Sequence, residues 1–494
     1  MATPIVDSVS DGHPITARPT QGSGGALDRT GFAWAVFEWA RNPYYILIVI
    51  YIFAPYFARD IIGADVLASG ELDHLDPDTA RNTANARGQA AIASVTKWAG
   101  LIAALTAPFL GAALDRGGRL KPLLAVFLGA IATCSALLWF AQPGGAGLPV
   151  WAIMSLLVVA YVSYTYSEVT HNAMLTVAGE QNRLSMISGL GLGLGNLAAV
   201  LIFIALALLF ILPGAIQWPF TQPQFNFDLS SFDHARIAGP ICAVWLVTFS
   251  IPFFLNAKDP GIPGASWRAA VITGYKAVLT TVKEATKYPD LMKFLIARMF
   301  YQDGMAALLA LSAVYVALFL DWGFLEMLCF AIYGSAFAFL GGIFGGWLDG
   351  KVGVKKALII EILGMVMAFS AQLSLTQDTL FFGLVDNYQV WDGLVFQSLS
   401  DLTYFGLISI VAVTVTASIS SSRAMLVTLS PPGRSGEFFG LYAIAGTITV
   451  WMGPLLVELF TTAFNDQRIG MASISLLFAI GLGVLLYVRM PDRA

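Results

Sequence analysis

Charge is what this sequence has least of. Asp, Glu, Lys and Arg make up 12% of its 494 residues, against roughly 25% in an average soluble domain. So little charge cannot cover a water-facing surface, which excludes an ordinary soluble enzyme; the 57% apolar content excludes disorder. The net charge is only −4, and with no basic stripe and no zinc-ligand spacing, nucleic acid is not an expected partner. Cysteine is almost missing: Cys134, Cys242 and Cys329 lie in apolar runs, without the spacing of a disulfide framework or a metal site. There is no P-loop and no nucleophile elbow. No cofactor or metal is therefore expected, an enzyme is the least expected class, and the chain itself is not expected to hydrolyse ATP.

What the sequence does have is apolar length. Mean hydropathy is +0.73, and ~20 apolar residues cross a bilayer as a helix. Apolar spans lie at about 32–58, 90–113, 122–141, 150–177, 185–212, 236–256, 291–318, 324–348, 357–375, 402–429, 437–463 and 470–489. The expectation is an all-α membrane protein of twelve transmembrane helices embedded in the lipid bilayer. An even count puts both termini on one side. With that side cytoplasmic, the inner segments hold 18 Lys and Arg and the outer loops 5, while 4 fall within spans. This bias places both termini in the cytoplasm. Residues 1–28 are polar and lack an apolar core, which reads as a mobile cytosolic tail, with 490–494 a second short one.

Residues 257–290 interrupt the apolar pattern. Val271, Tyr275, Val278, Leu279 and Val282 recur at helical spacing among Lys276, Lys283 and Lys287, as in an amphipathic helix on the inner membrane face. This segment divides a six-helix bundle at 29–256 from a second at 291–489. The two halves echo each other. Gly111 to Lys121, which contains Asp115, Arg116 and Arg119, matches Gly345 to Lys355, which contains Asp349 and Lys351, at an offset of 234. Ala173, Met174, Leu175, Arg183, Gly189, Leu190 and Gly195 recur as Ala424, Met425, Leu426, Arg434, Gly440, Leu441 and Gly446 at an offset of 251. The difference of 17 locates an external insertion near 376–400. Parallel six-helix repeats are the organisation of major facilitator transporters, whose binding site lies near mid-membrane between the halves.

The short Gly/Asp/basic loops resemble the loop motif of that superfamily. The resemblance implies a cytoplasmic latch formed by Asp115, Arg116 and Arg119, with Asp349 and Lys351 as its second copy. Phe32 to Asn42 (FAWAVFEWARN) is similar to the opening helix of the vacuole effluxer-like family, the autophagy-related amino-acid permeases and their bacterial relatives. So are Ala297 to Gly304, His171 to Leu175 with Ser188 to Gly191, and Glu437 to Tyr442. The resemblance covers about residues 29 to 488. It implies a major facilitator fold, amino acids as substrate, and an inner membrane if the source is bacterial or a vacuolar membrane if it is eukaryotic. Glu38 stands where that family usually has Asp, and Arg41-Asn42 where it usually has Asn-Ser.

Charges inside apolar spans cost ~2.5–3.5 kcal/mol each on insertion scales, so they pair or face water. Glu38 and Arg41 are three apart, on one helix face, and Pro43 leaves the Trp39 carbonyl without its helical donor. Tyr161, Tyr164, Glu168 and His171 form one polar stripe on helix four, and His171 is able to change charge near neutral pH. Helix seven carries Arg298 and Asp303, about 140° apart around the axis, and helix ten carries Arg423. Glu38, Arg41, Glu168, Asp303 and Arg423 are expected to face one cavity between the halves, with Asn42 beside them. Lys97, Glu361 and Glu458 read as groups that snorkel to the interface or lie toward a span end. Gly189, Gly191, Gly193 and Gly195 read as close helix packing.

The expected activity is secondary transport of a small polar solute by alternating access, with an amino acid or related zwitterion leading, possible coupling to protons, and a monomeric chain. Export of amphipathic or drug-like compounds is the first alternative. A non-transporting assembly or sensor protein is the second.

Overall fold

The computed structural model describes residues 28–114, 118–179, 184–215, 220–222, 224, 231–261, 276, 280, 282–430, 438, 441–442 and 444–491. Asp115 and Arg116, most of the polar tail, much of the 257–290 linker, Arg183, Arg434 and residues 492–494 lie outside them.

The helices are α1 Arg29–Ala68, α2 Pro77–Leu114, α3 Leu120–Phe140, α4 Val150–Met174, α5 Leu184–Leu206 and α6 Ala238–Asn256. They continue with α7 Pro289–Phe319, α8 Phe324–Val352, α9 Val354–Leu373, α10 Leu399–Leu429, α11 Met452–Phe464 and α12 Gln467–Leu486. Among the described residues nine helices are long and apolar enough to cross a membrane: α1, α3 to α8, α10 and α12. Val126, Trp151, Val244, Leu255, Phe339 and Met367 are exposed on their outer faces, as helices solvated by lipid require.

Local chemistry sets several boundaries. Ser398 and Asp401 form a reciprocal capping box at the start of α10. Asp466 accepts from the amides of Arg468 and Ile469 at the start of α12. Asp259, just after α6, caps α3 from a distance by accepting from the amides of Leu120 and Lys121, each at 3.0 Å. The expected insertion near 376–400 contains a small hairpin, Thr379–Leu380 against Val385–Asp386, between α9 and α10.

Helix α1 packs on α5 and α6, α2 on α4, and α3 on α4 and α6; α7 packs on α12, and α8 and α9 pack on α10. The two groups meet chiefly through α2 with α11, α7 with α1 and α2, and α8 with α5. Their polar ties cluster at the end that the charge bias assigns to the outside. Asn85 donates to the Leu318 carbonyl at 3.0 Å, and Gln89 donates to Thr461 Oγ1 and the Gln467 carbonyl. Asp321 receives Arg81 at 3.0 Å and Arg59 at 3.6 Å. A polar cavity of about 610 Å³ lies there, lined by Arg81, Asn85, Gln377, Asp466 and Arg468 among others. Further along α2, Lys97 pairs with Glu458 of α11 at 2.6 Å.

Candidate functional site

Pro43 and Pro55 shape α1. Each removes an amide donor from the helical ladder, and the helix widens into π turns at Tyr45–Tyr51 and Phe57–Gly63. The Trp39 carbonyl, deprived of its donor by Pro43, accepts instead from Trp245 Nε1 of α6 at 2.8 Å. Gly191 and Gly195 of α5 let that helix approach the same stretch: a Cβ at Gly195 would sit 3.2 Å from the Glu38 carbonyl, and one at Gly191 3.3 Å from Glu38 Cγ. Gly191 and Gly195 are thus close helix packing, whereas Gly193 faces open space.

On the opposite side, α1 and α4 run antiparallel and their polar stripes match step for step. Tyr45 stacks on Tyr161 and Tyr164, with centroids 6.0 and 5.3 Å away. Arg41 lies over the Tyr164 ring at 4.6 Å and reaches Glu168 at 3.6 Å. Glu38 meets His171 Nδ1 at 3.2 Å, and Trp34 stacks on the His171 ring at 4.0 Å. Trp34 and His171 also bond through their backbones: Trp34 Nε1 donates to the His171 carbonyl at 3.0 Å, and His171 Nε2 lies 3.1 Å from the Trp34 carbonyl.

Arg41 is 3% exposed. Its Nη2 donates to both Glu38 oxygens, at 2.8 and 2.9 Å, while Nε and Nη1 find no hydrogen-bond acceptor among the described residues. The Glu168 side chain is 48% exposed. His171 is fully buried. Both of its nitrogens face acceptor atoms, a carboxylate and a carbonyl. Neutral imidazole has only one N–H, so in the neutral form only one of the two contacts holds a hydrogen. Asn42, one residue beyond Arg41, donates to Asn196 of α5 at 3.4 Å.

The other expected residues do not join this group. Arg298 is buried, donates to the Tyr442 carbonyl at 2.8 Å and lies 3.5 Å from the centre of the Tyr442 ring. Asp303 is also buried; Oδ2 accepts from the Gly453 amide at the start of α11, and Oδ1 has no partner among the described residues. The two diverge because five positions along a helix separate their directions. Arg423 is exposed; it lies six positions before the end of α10, within reach of the interface for its long stem. Asp349 lies in the last turn of α8 and does not pair with Lys351, which sits over the Trp347 ring at 4.8 Å; residues two apart on a helix point different ways. Arg119 is exposed just ahead of α3.

Three charges carry more structure than snorkelling predicts. Lys97 and Glu458 form a tie between α2 and α11. Glu361 is 0% exposed and accepts from Ser421 of α10 at 2.9 Å. The available signal was the cost of an unpaired charge in a span, which demands a partner without naming it.

Two helix groups around buried, paired charge, with most helices able to cross a membrane, make this an integral multi-pass membrane protein and a transporter of the major facilitator type. The fold matches a bacterial homologue of the human lysosomal transporter Spinster, TM-score 0.55 at 11% identity, over 95% of this chain and 100% of that one. It also matches a D-xylose–proton symporter, TM-score 0.54 at 10% identity, over 93% and 96%. Within that class, the chain belongs to the vacuole effluxer Atg22-like family, whose model matches residues 29–493. It is 23% identical over 468 residues to the MFS-type transporter YxiO of Bacillus subtilis strain 168, covering 92% of this chain and 94% of that one. It is 24% identical over 367 residues to autophagy-related protein 22 of Yarrowia lipolytica, covering 68% of this chain and 56% of that longer one.

Proposed function

We propose that this transporter moves a small zwitterion, an amino acid or close relative, by alternating access, and that Glu38, Arg41, Glu168 and His171 form its substrate and proton site. The observation that carries the reading is the state of Arg41: buried, held to Glu38 by one nitrogen, with Nε and Nη1 unmatched by any hydrogen-bond acceptor among the described residues. A guanidinium in that state is a receiver for a carboxylate, which competes with Glu38 for it. Glu168, half exposed beside it, offers an acceptor to an ammonium group. A proton taken up between His171 and Glu38 is the proposed coupling ion, because displacing Glu38 from Arg41 changes its affinity for that proton.

Proteoliposome uptake tests this, using a panel of labelled amino acids with and without a pH gradient. Gradient-stimulated uptake of at least one amino acid is expected, and Arg41→Ala should abolish it while leaving folded, monodisperse protein. Normal transport by Arg41→Ala would defeat the assignment. Asp115, Arg116 and Arg119 are proposed as an inner latch; Asp115→Asn should then favour the inward-open state, and unchanged accessibility at both faces would remove that role.

A further inference from the structure

Helices α8 and α10 touch along a ladder with a step of four. A Cβ at Gly341 would lie 2.5 Å from the Val413 carbonyl, and one at Gly345 2.8 Å from Ala417 Cα. No water fits between backbones that close. The next rung on each helix is Asp349 and Ser421. Helix α9 closes the third side, with Gly364 against Thr414 of α10 and Glu361 one turn before it. The sequence ladder thus brings two carboxyls and a serine to one junction of three helices, with Glu361 and Ser421 fully buried and Asp349 partly so.

We propose that Asp349, Ser421 and Glu361 form a second proton-binding site, distinct from the Glu38–His171 group, in which the two carboxyls hold one exchangeable proton. Donor counting carries the argument. Ser421 is fully buried and has one hydroxyl hydrogen, which it gives to Glu361 Oε1 at 2.9 Å. Glu361 Oε2 and Asp349 Oδ1 are buried and find no donor among the described residues. Two ionised carboxylates left this way are doubly costly, for lost hydration and for mutual repulsion. A proton added to one carboxylate oxygen removes one negative charge, breaks no bond, and creates the missing O–H donor.

Among the described residues the surroundings offer no competing cation; Arg183 and Arg434 lie outside them. Helix α8 contributes Asp349, whose neighbour Lys351 is turned onto Trp347. Helix α9 carries Lys355, committed to the carbonyls of Leu486 and Val488, and exposed Lys356. Helix α7 presents Tyr301, whose hydroxyl is bonded to Ser422 at 2.7 Å, itself bonded to the Tyr442 hydroxyl. Arg423 of α10 is exposed. From Met471 to Leu486, α12 has no titratable residue.

The site does not rest on the substrate reading, and its test needs no substrate. Infrared difference spectra of the purified chain in lipid nanodiscs should show a carbonyl-stretch band of a buried protonated carboxyl that vanishes on a step to alkaline pH. Glu361→Gln should lose this band, Asp349→Asn should shift its titration, and Asp303→Asn and Arg41→Ala should retain it. A band unchanged in both Glu361→Gln and Asp349→Asn overturns the site. So does loss of the wild-type band on adding sodium chloride at constant pH, which would assign the junction to a metal cation.

Discussion

His171 shows how a single side chain links packing to chemistry. Its ring is stacked on Trp34 and closed off from water, and its two nitrogens face a carboxylate and a carbonyl. If Glu38 and His171 share the coupling proton, Glu38→Gln should uncouple uptake from the pH gradient while substrate still binds, read as a transport rate no longer responsive to imposed acid pH. A variant that keeps full gradient dependence would take the proton away from this pair. Trp34→Phe keeps much of the stacking but leaves the His171 carbonyl without its indole donor. A loss of stability on the order of 1 kcal/mol is expected, measured by thermal unfolding in detergent.

At the scale of elements, α1 and the α8–α10 contact are the informative pieces. The proline-broken α1 is tolerable in a membrane only because a neighbour supplies the missing donor, and Trp245 is that neighbour. Trp245→Phe should therefore destabilise the fold by about 1–3 kcal/mol through the orphaned Trp39 carbonyl. An unchanged midpoint in thermal unfolding would show that α1 does not depend on this bond. On α8, adjacent glycines should behave oppositely. Gly345→Val drives a side chain into Ala417, which costs about 1–3 kcal/mol or more as overpacking. Gly346→Ala meets nothing within 4 Å and gains helix propensity. Equal melting behaviour of the two variants would contradict the ladder. The break in α1 was readable from Pro43 and its i−4 carbonyl; the ladder was not, because a small residue in a span marks a close approach without identifying the helix that approaches.

For the whole molecule, the ties between the helix groups sit where Asp321 gathers Arg59 and Arg81, where Asn85 and Gln89 reach across, and where Lys97 meets Glu458. Alternating access requires these to part. A cleavable bifunctional thiol cross-linker joining Arg81→Cys to Asp321→Cys should hold that end shut and stop transport until a reductant is added; transport that continues through the cross-linked form would show that this end does not open. The charge bias makes it the outer end. A cysteine at exposed Ser69 should accordingly react with an impermeant thiol reagent from outside, and one at Ser266 should not. The reverse pattern would invert the topology.

By itself the sequence determined the membrane class, the repeat and orientation to be expected, and which charges share one face of α1 and which one face of α4. Each of these follows from composition or from spacing along one helix, and both are local properties of the chain. Glu38 with Arg41, and Glu168 with His171, could be placed on shared faces because three or four residues make one helical turn. What tertiary structure decided was partnership between helices. It set Arg298 against Tyr442 and Asp303 against the start of α11, turned Arg423 outward, paired Lys97 with Glu458, and carried Glu361 to Ser421. The cost of a buried charge is a property of the residue, but the group that relieves it is chosen by the rotation and depth of a second helix, which only the packed molecule defines.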